Sequence, residues 1–175
     1  MGMETIVIGG GCFWCLEATF QLVRGVDKVL PGYAGGTKKN PSYDNLHSED
    51  TGHAEVVEVT FNPTIINLAD ILEIFWVIHD PTTKDRQGND VGSEYRSVIL
   101  WSDDTQKRVI DKSLIDAQRL WDRPIVTEVK KLDVFYEAEA YHHNYFQNHP
   151  EQAYCQLVIN PKLQKLKSKF ANKLK

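Results

Sequence analysis

Residues 9 to 18 read GGGCFWCLEA, so two thiols, Cys12 and Cys15, stand three apart directly behind three glycines, with Phe13 and Trp14 between them. Three kinds of chemistry suit that grouping: a metal clip, a dithiol that cycles through a disulfide, or a nucleophilic cysteine with an apolar pocket at its side. A β-branched run, ETIVIGG, leads into the glycines, and Leu16, Phe20 and Val23 form an apolar stripe after them, which predicts a strand running into a helix. Cys12 then falls at the helix N-terminus, where unpaired N–H groups and the positive end of the macrodipole favour a thiolate. Cysteines so placed have pKa values of roughly 3.5–7.5, against ~8.5 for a free one. An ionised nucleophile is therefore expected at position 12; the alternative is a small buried core cysteine.

A Cys-x-x-Cys at a helix start is also the general form of a redox dithiol. A metal site needs two further ligands, which Cys155 and the histidines His142, His143 and His149 can supply, but YHHNYFQNHPEQAYC has no second tight pair at zinc-ligand spacing. Neither chemistry accounts for Phe13 and Trp14. Two adjacent aromatics at a helix start cannot both point into the core, so at least one is expected to stay partly exposed and to wall a pocket beside the sulfur. Glu55 shares the parity of Val57, Val59 and Phe61 in HAEVVEVTF, and so continues the apolar face of that strand. A carboxyl there has a raised pKa and can donate a proton near neutrality, unless the strand frays and leaves it solvated.

These groups need a scaffold, and 175 residues suit one domain with a full core. The composition, 42% hydrophobic and 25% charged, is that of a globular chain, and a net charge of −4 argues against a nucleic-acid partner. NLADILEIFWVIHD predicts a helix capped by Asn67, with Leu68, Ile71, Leu72 and Phe75 as its buried stripe. YRSVILW and IVTEVKKL predict strands. Between them lies a helix capped by Ser102, with Ile110, Leu114, Ala117 and Trp121 on one face. PGYAGGTKKNPSYDN reads as a long loop, DPTTKDRQGNDVGSE as a polar one and AEAYHHNYFQ as a helix. The basic tail PKLQKLKSKFANKLK places Leu163, Leu166, Phe170 and Leu174 at helical spacing, which predicts an amphipathic helix docked on the body rather than a membrane or RNA contact. The mixed order implies an α+β two-layer sandwich with long functional loops, one domain over 1–175 with a core of about 5–145 and a tail of about 146–175. An odd number of cysteines, with neither a signal-peptide pattern nor a run of ~20 apolar residues, points to a reducing compartment, the cytoplasm.

GCFWC, GYAGG, NPSYDNLHSEDTGHAEVVEVTFNP, FWVIHDPT, RQGNDVGSEYRS and FYEAEAYHHNYF, with YC in the tail, follow an order and spacing that resembles the peptide methionine sulfoxide reductase A family from about Thr5 to about Lys165. The resemblance implies a ferredoxin-like sandwich with a mixed central sheet. It implies reduction of methionine S-sulfoxide, protein-bound or free, with no bound cofactor and with thioredoxin (or dithiothreitol in vitro) as external reductant. Position by position, it implies that Cys12 attacks the sulfoxide sulfur and is left as a sulfenic acid. Phe13 and Trp14 wall the S-methyl pocket, Tyr43 and Tyr95 bond the sulfoxide oxygen, Glu55 donates the proton and Asp90 helps to order water. Cys155 stands at the position of the resolving thiol, on a segment around Pro150 whose composition suits mobility. Many members have glycine where this chain has Cys15; here that thiol is a relay or an alternative resolver, unless the helix turns its sulfur away from Cys12.

The residues agree with that chemistry, because a sulfoxide sulfur is a poor electrophile until its oxygen is protonated or strongly hydrogen-bonded. Two other functions fit parts of the sequence. A general dithiol oxidoreductase acting through Cys12 and Cys15 leaves Phe13, Trp14, Glu55 and the tyrosines without a task. A metal-dependent binding module built from Cys12, Cys15, Cys155 and a histidine leaves the aromatics unexplained.

Overall fold

The structure, a computed structural model, describes residues 2–175; Met1, the first residue of the N-terminal stretch read above, lies outside them. In chain order the elements are β1 (Glu4–Gly9), α1 (Phe13–Gln21), β2 (Val26–Ala34), α2 (Tyr43–Ser48), β3 (Ala54–Phe61), α3 (Leu68–Ile78), β4 (Arg86–Gln87), β5 (Asp90–Val91), β6 (Val98–Trp101), α4 (Asp104–Gln118), β7 (Glu128–Lys131), β8 (Tyr136–Glu137), α5 (Tyr145–Asn148) and α6 (Asn160–Phe170). The main sheet runs β7-β6-β1-β3-β2-β8, with β6 and β7 parallel and the other pairs antiparallel. Within it, β1, α1, β2, β3, α3 and β6 make a β-α-β-β-α-β unit whose strands lie in the spatial order fourth, first, third, second, the ferredoxin-like arrangement.

Strand alternation divides the interior. Ile6, Ile8, Val57, Val59, Phe61 and Ile99 pack with the helices, whereas Val7, Ala54, Val56, Val98 and Leu100 face the other side under Leu132 and Phe135. The helical layer is the thick one, and Leu163, Leu166 and Phe170 of α6 are buried in it, so the basic tail helix docks on the body as expected. Leu174 lies past the helix end and bridges to Val23. Among the described residues no helix is long and apolar enough to cross a membrane.

Several local expectations need correction. Pro31–Ala34, expected in a loop, closes β2, because the edge strand β8 approaches it. A Cβ on Gly32 would stand 2.4 Å from Phe135 Cζ, so its glycine marks close contact inside a strand rather than a turn. Tyr43 opens α2, capped by Ser42, whose Oγ accepts from the Asn45 N–H at 3.2 Å. The polar loop contains the β4–β5 hairpin. Asp103, not Ser102, caps α4: its carboxylate accepts from the Gln106 N–H at 2.8 Å, while the Ser102 N–H goes to Gln106 Oε1. Trp121 falls beyond the end of α4. AEAYHHNYFQ is no continuous helix; Asn144, in a left-handed conformation with φ 56°, separates a 3-10 turn over Ala140–His142 from α5.

Candidate active site

The glycine corner has two steric causes. Gly10 lies against the His79 ring, where a Cβ would come within 2.8 Å of it, and Gly11 has a φ of +89°, which favours glycine. The turn delivers Cys12 as the N-cap of α1, with extended backbone and no side-chain capping bond. Cys12 is only 8% exposed. Burial, then the Glu55 carboxylate, push its thiol well above the ordinary range. The expected resting thiolate is thus corrected: loss of hydration at the sulfur outweighs the field of the helix end.

Glu55 is 1% exposed, on the helix side of β3 as its parity predicts. Its Oε1 accepts from the Phe13 N–H at 3.2 Å, and its Oε2 lies 3.5 Å from His47 Nε2. Burial raises the carboxyl, against the lowering pull of those two contacts. Burial thus favours the protonated form of a carboxyl that is bonded one residue from the thiol, on the strand face that its parity suggests.

Of the two aromatics, Phe13 is fully buried between Tyr33 and His142, with ring centroids 5.7 and 4.9 Å away. Trp14 is the partly exposed one. Its indole stacks on Tyr145 at 3.6 Å and 4°, and its Nε1–H donates to His142 Nδ1 at 3.0 Å. His142 is buried, its pKa pulled down to about 4 by burial. With Nδ1 accepting, the proton of the neutral ring sits on Nε2, which has no partner. Tyr43 stands 4.6 Å from His142, ring to ring, and burial raises its phenol to about 12; burial raises Tyr95 in the same direction. Both hydroxyls are neutral donors at physiological pH.

Behind the thiol, Cys15 is 1% exposed and Cys155 fully buried. The Tyr154 hydroxyl lies 3.8 Å from Cys15 Sγ and donates to Asp90 Oδ2 at 2.8 Å. Cys15 therefore faces the Tyr154 hydroxyl. Cys155 opens a single π turn, Cys155–Ile159, which packs on α1 and α6. It is not carried on a free arm, because Cys155, Ile159, Leu163 and Leu166 form one apolar stripe.

Sequence reasoning treats His142 only as a metal ligand and passes over His47, Tyr145 and Tyr154, although YHHNYF and the YC pair contain three of the four. The metal clip requires Cys12, Cys15, Cys155 and a histidine to converge. Among the described residues no three such side chains are placed to hold an ion.

Residues 4–174 match the family described as Peptide methionine sulfoxide reductase. Peptide methionine sulfoxide reductase MsrA of Saccharolobus solfataricus is 48% identical over 173 residues, covering 99% of this chain and 98% of that protein. Mxr1 from Saccharomyces cerevisiae in reduced form is similar with a TM-score of 0.81 and 32% identity, covering 87% of this chain and 89% of that one. Mxr1 in complex with Trx2 is similar with a TM-score of 0.56 and 25% identity, covering 82% and 84%.

Proposed function

The chain belongs to the peptide methionine sulfoxide reductase family, and from that premise we propose how its own residues reduce methionine sulfoxide to methionine. Cys12 is the nucleophile. As its sulfur bonds the sulfoxide sulfur, Glu55 protonates the sulfoxide oxygen, and Tyr43 and Tyr95 hold that oxygen by hydrogen bonds. The sum is Cys12–SH plus a methyl sulfoxide giving Cys12–SOH plus the thioether: two electrons pass from the Cys12 sulfur to the substrate sulfur, and no net proton is needed. The S-methyl group lies against Phe13 and Trp14, and the substrate is the S-epimer, protein-bound or free.

The observation that carries this reading is the buried Glu55 carboxyl bonded to the main chain directly after Cys12, raised by its burial. A carboxylate there would repel the oxygen; an acid activates it. A raised thiol fits the same assignment, since the Glu55 proton goes to the sulfoxide oxygen and the Cys12 proton leaves toward the emptied carboxylate as the sulfur attacks.

Cys155 then condenses with the sulfenic acid to a disulfide and water, with Cys15 as relay or alternative. Asp90 acts through Tyr154, which it bonds. Thioredoxin restores the thiols, a partner supported by the complex of Mxr1 with Trx2; no bound cofactor takes part. Three free cysteines suit a reducing compartment, the cytoplasm, and residues of about 146–175 act as a tail of the same domain.

Full-length protein given dithiothreitol and dabsylated methionine sulfoxide is expected to yield the thioether, and Cys12→Ser to abolish it. A dithiol oxidoreductase would reduce insulin disulfides instead and leave the sulfoxide untouched.

A further inference from the structure

Glu55 is sealed from water, and its Oε1 is taken by the Phe13 N–H. Its Oε2 meets one titratable side chain, His47 of α2, which the reaction as described does not use. His47 Nε2 stands 3.5 Å from Glu55 Oε2, and on the far side of the ring Nδ1 stands 3.4 Å from Glu94 Oε1. Doubly protonated, the imidazole presents one N–H toward each of these two acidic side chains. The His47 side chain is 28% exposed and borders a polar cavity of about 380 Å³ that Glu49, Asp50, Ser93 and Glu94 also line. The ring thus spans the wall between the hollow that holds Cys12 and the outside.

We propose that His47 is the proton relay between Glu55 and solvent, its Nε2 serving the buried acid and its Nδ1 edge, held by Glu94, serving the cavity. The inference rests on Glu55 being the proton donor. When Glu55 has protonated the sulfoxide oxygen, the new carboxylate faces the His47 imidazolium, which stabilises it and returns a proton. The Cys12 thiol proton leaves by the same path, so the sum of the step stays balanced. His47 acts through Glu55 and is a positioning residue, not a group that touches substrate.

The groups facing His47 are Glu55 from β3, Glu94 and Tyr95 from the Ser93–Tyr95 turn, Tyr43 from its own helix at 4.3 Å ring to ring, and neutral His142. The Glu55 contact foremost, opposed by partial burial, holds the imidazole above its usual range. The His47 contact pulls the Glu55 carboxyl down against burial, so deleting the imidazole lets Glu55 hold its proton to higher pH and the alkaline limb of the sulfoxide-reduction step must move up.

The test is single-turnover reduction of dabsylated methionine sulfoxide by the full-length reduced protein across pH, for wild type, His47→Gln and Glu94→Gln. His47→Gln is expected to shift the alkaline limb toward higher pH, to slow the step on the order of ten-fold near pH 8, and to recover in part with free imidazole. Glu94→Gln is expected to shift the limb the same way by less. An unmoved limb in an active His47→Gln protein overturns the relay alone. A loss of rate by one constant factor at every pH without imidazole rescue, the mark of a packing role, does the same. If His47→Gln fails to fold, an unmoved limb in Glu94→Gln overturns it. A wild type that reduces no sulfoxide overturns the relay and the reading beneath it together.

Discussion

The main-chain N–H of Phe13 and the carboxyl of Glu55 are hydrogen-bonded at 3.2 Å across 42 residues of sequence. That bond ties the helix start carrying the thiol to the strand carrying the acid, so α1 and β3 cannot shift without separating the two reacting groups.

Glu55→Gln keeps an acceptor for that N–H and removes the proton. The sulfoxide-reduction step, read in a single turnover, is expected to fall by about 10²–10⁴; an unchanged rate would remove Glu55 from its role. Stability should move the other way with pH. Because the folded protein binds the Glu55 proton more tightly than the unfolded chain does, wild type loses stability as pH rises through the raised value, and glutamine does not. The melting temperature of Glu55→Gln relative to wild type is expected to climb from pH 4 to pH 8.

The same variant should make Cys12 more reactive toward iodoacetamide. Once ionised, Glu55 opposes a second negative charge on Cys12, next after burial, so above the pH at which the carboxyl gives up its proton its removal lowers the cost of forming the thiolate. Alkylation that rises while sulfoxide reduction falls would separate the two functions of the carboxyl in one protein. Alkylation that stays at the wild-type rate would show that burial alone restrains Cys12.

Mass spectrometry after one turnover is expected to find Cys155 in a disulfide. A Cys12–Cys15 link alone would make Cys15 the resolver and leave the tail thiol without a part.

Tyr154→Phe removes the bond to Asp90 that anchors the residue next to Cys155. A hydrogen bond to a charged group contributes about 1.5–3 kcal/mol, so transient opening of the π turn, and with it Cys155 alkylation in the reduced protein, should rise roughly 10–100-fold. An unchanged rate would mean that the apolar stripe holds the turn by itself.

Gly32→Ala should destabilise the protein by about 1–3 kcal/mol in denaturant unfolding, since β8 would have to retreat from β2. Wild-type stability there would show that β8 moves freely.

The helices α1, α3 and α6 are legible because each carries a 3.6-residue apolar stripe, and β3 because its odd positions Val57, Val59 and Phe61 are apolar, with Glu55 continuing the same face. What escaped was set by tertiary contact. Pro31 and Gly32 look like a turn until Phe135 arrives from 104 and 103 positions on, and nothing near Asn144 announces a left-handed residue inside an apparently helical run. The site divides in the same way. Cys12, Phe13, Trp14 and Glu55 are local to two elements and could be read in place. The Cys12 thiol departs from the helix-end expectation because the helix end is written in the neighbouring residues, whereas the burial that overrides it comes from the folded body around the sulfur. His47 and His142 acquire their meaning from partners on β3, the Ser93–Tyr95 turn and α1, which no spacing rule connects.

All three thiols are covered and held in the protonated form. Peroxide consumes sulfur that is ionised and open to it, so a resting molecule with this arrangement should outlast the very conditions that create its substrate. On the proposed mechanism selectivity then comes from admission: a methyl sulfoxide that fits between indole and phenols would bring out the reactivity that a stray oxidant never meets.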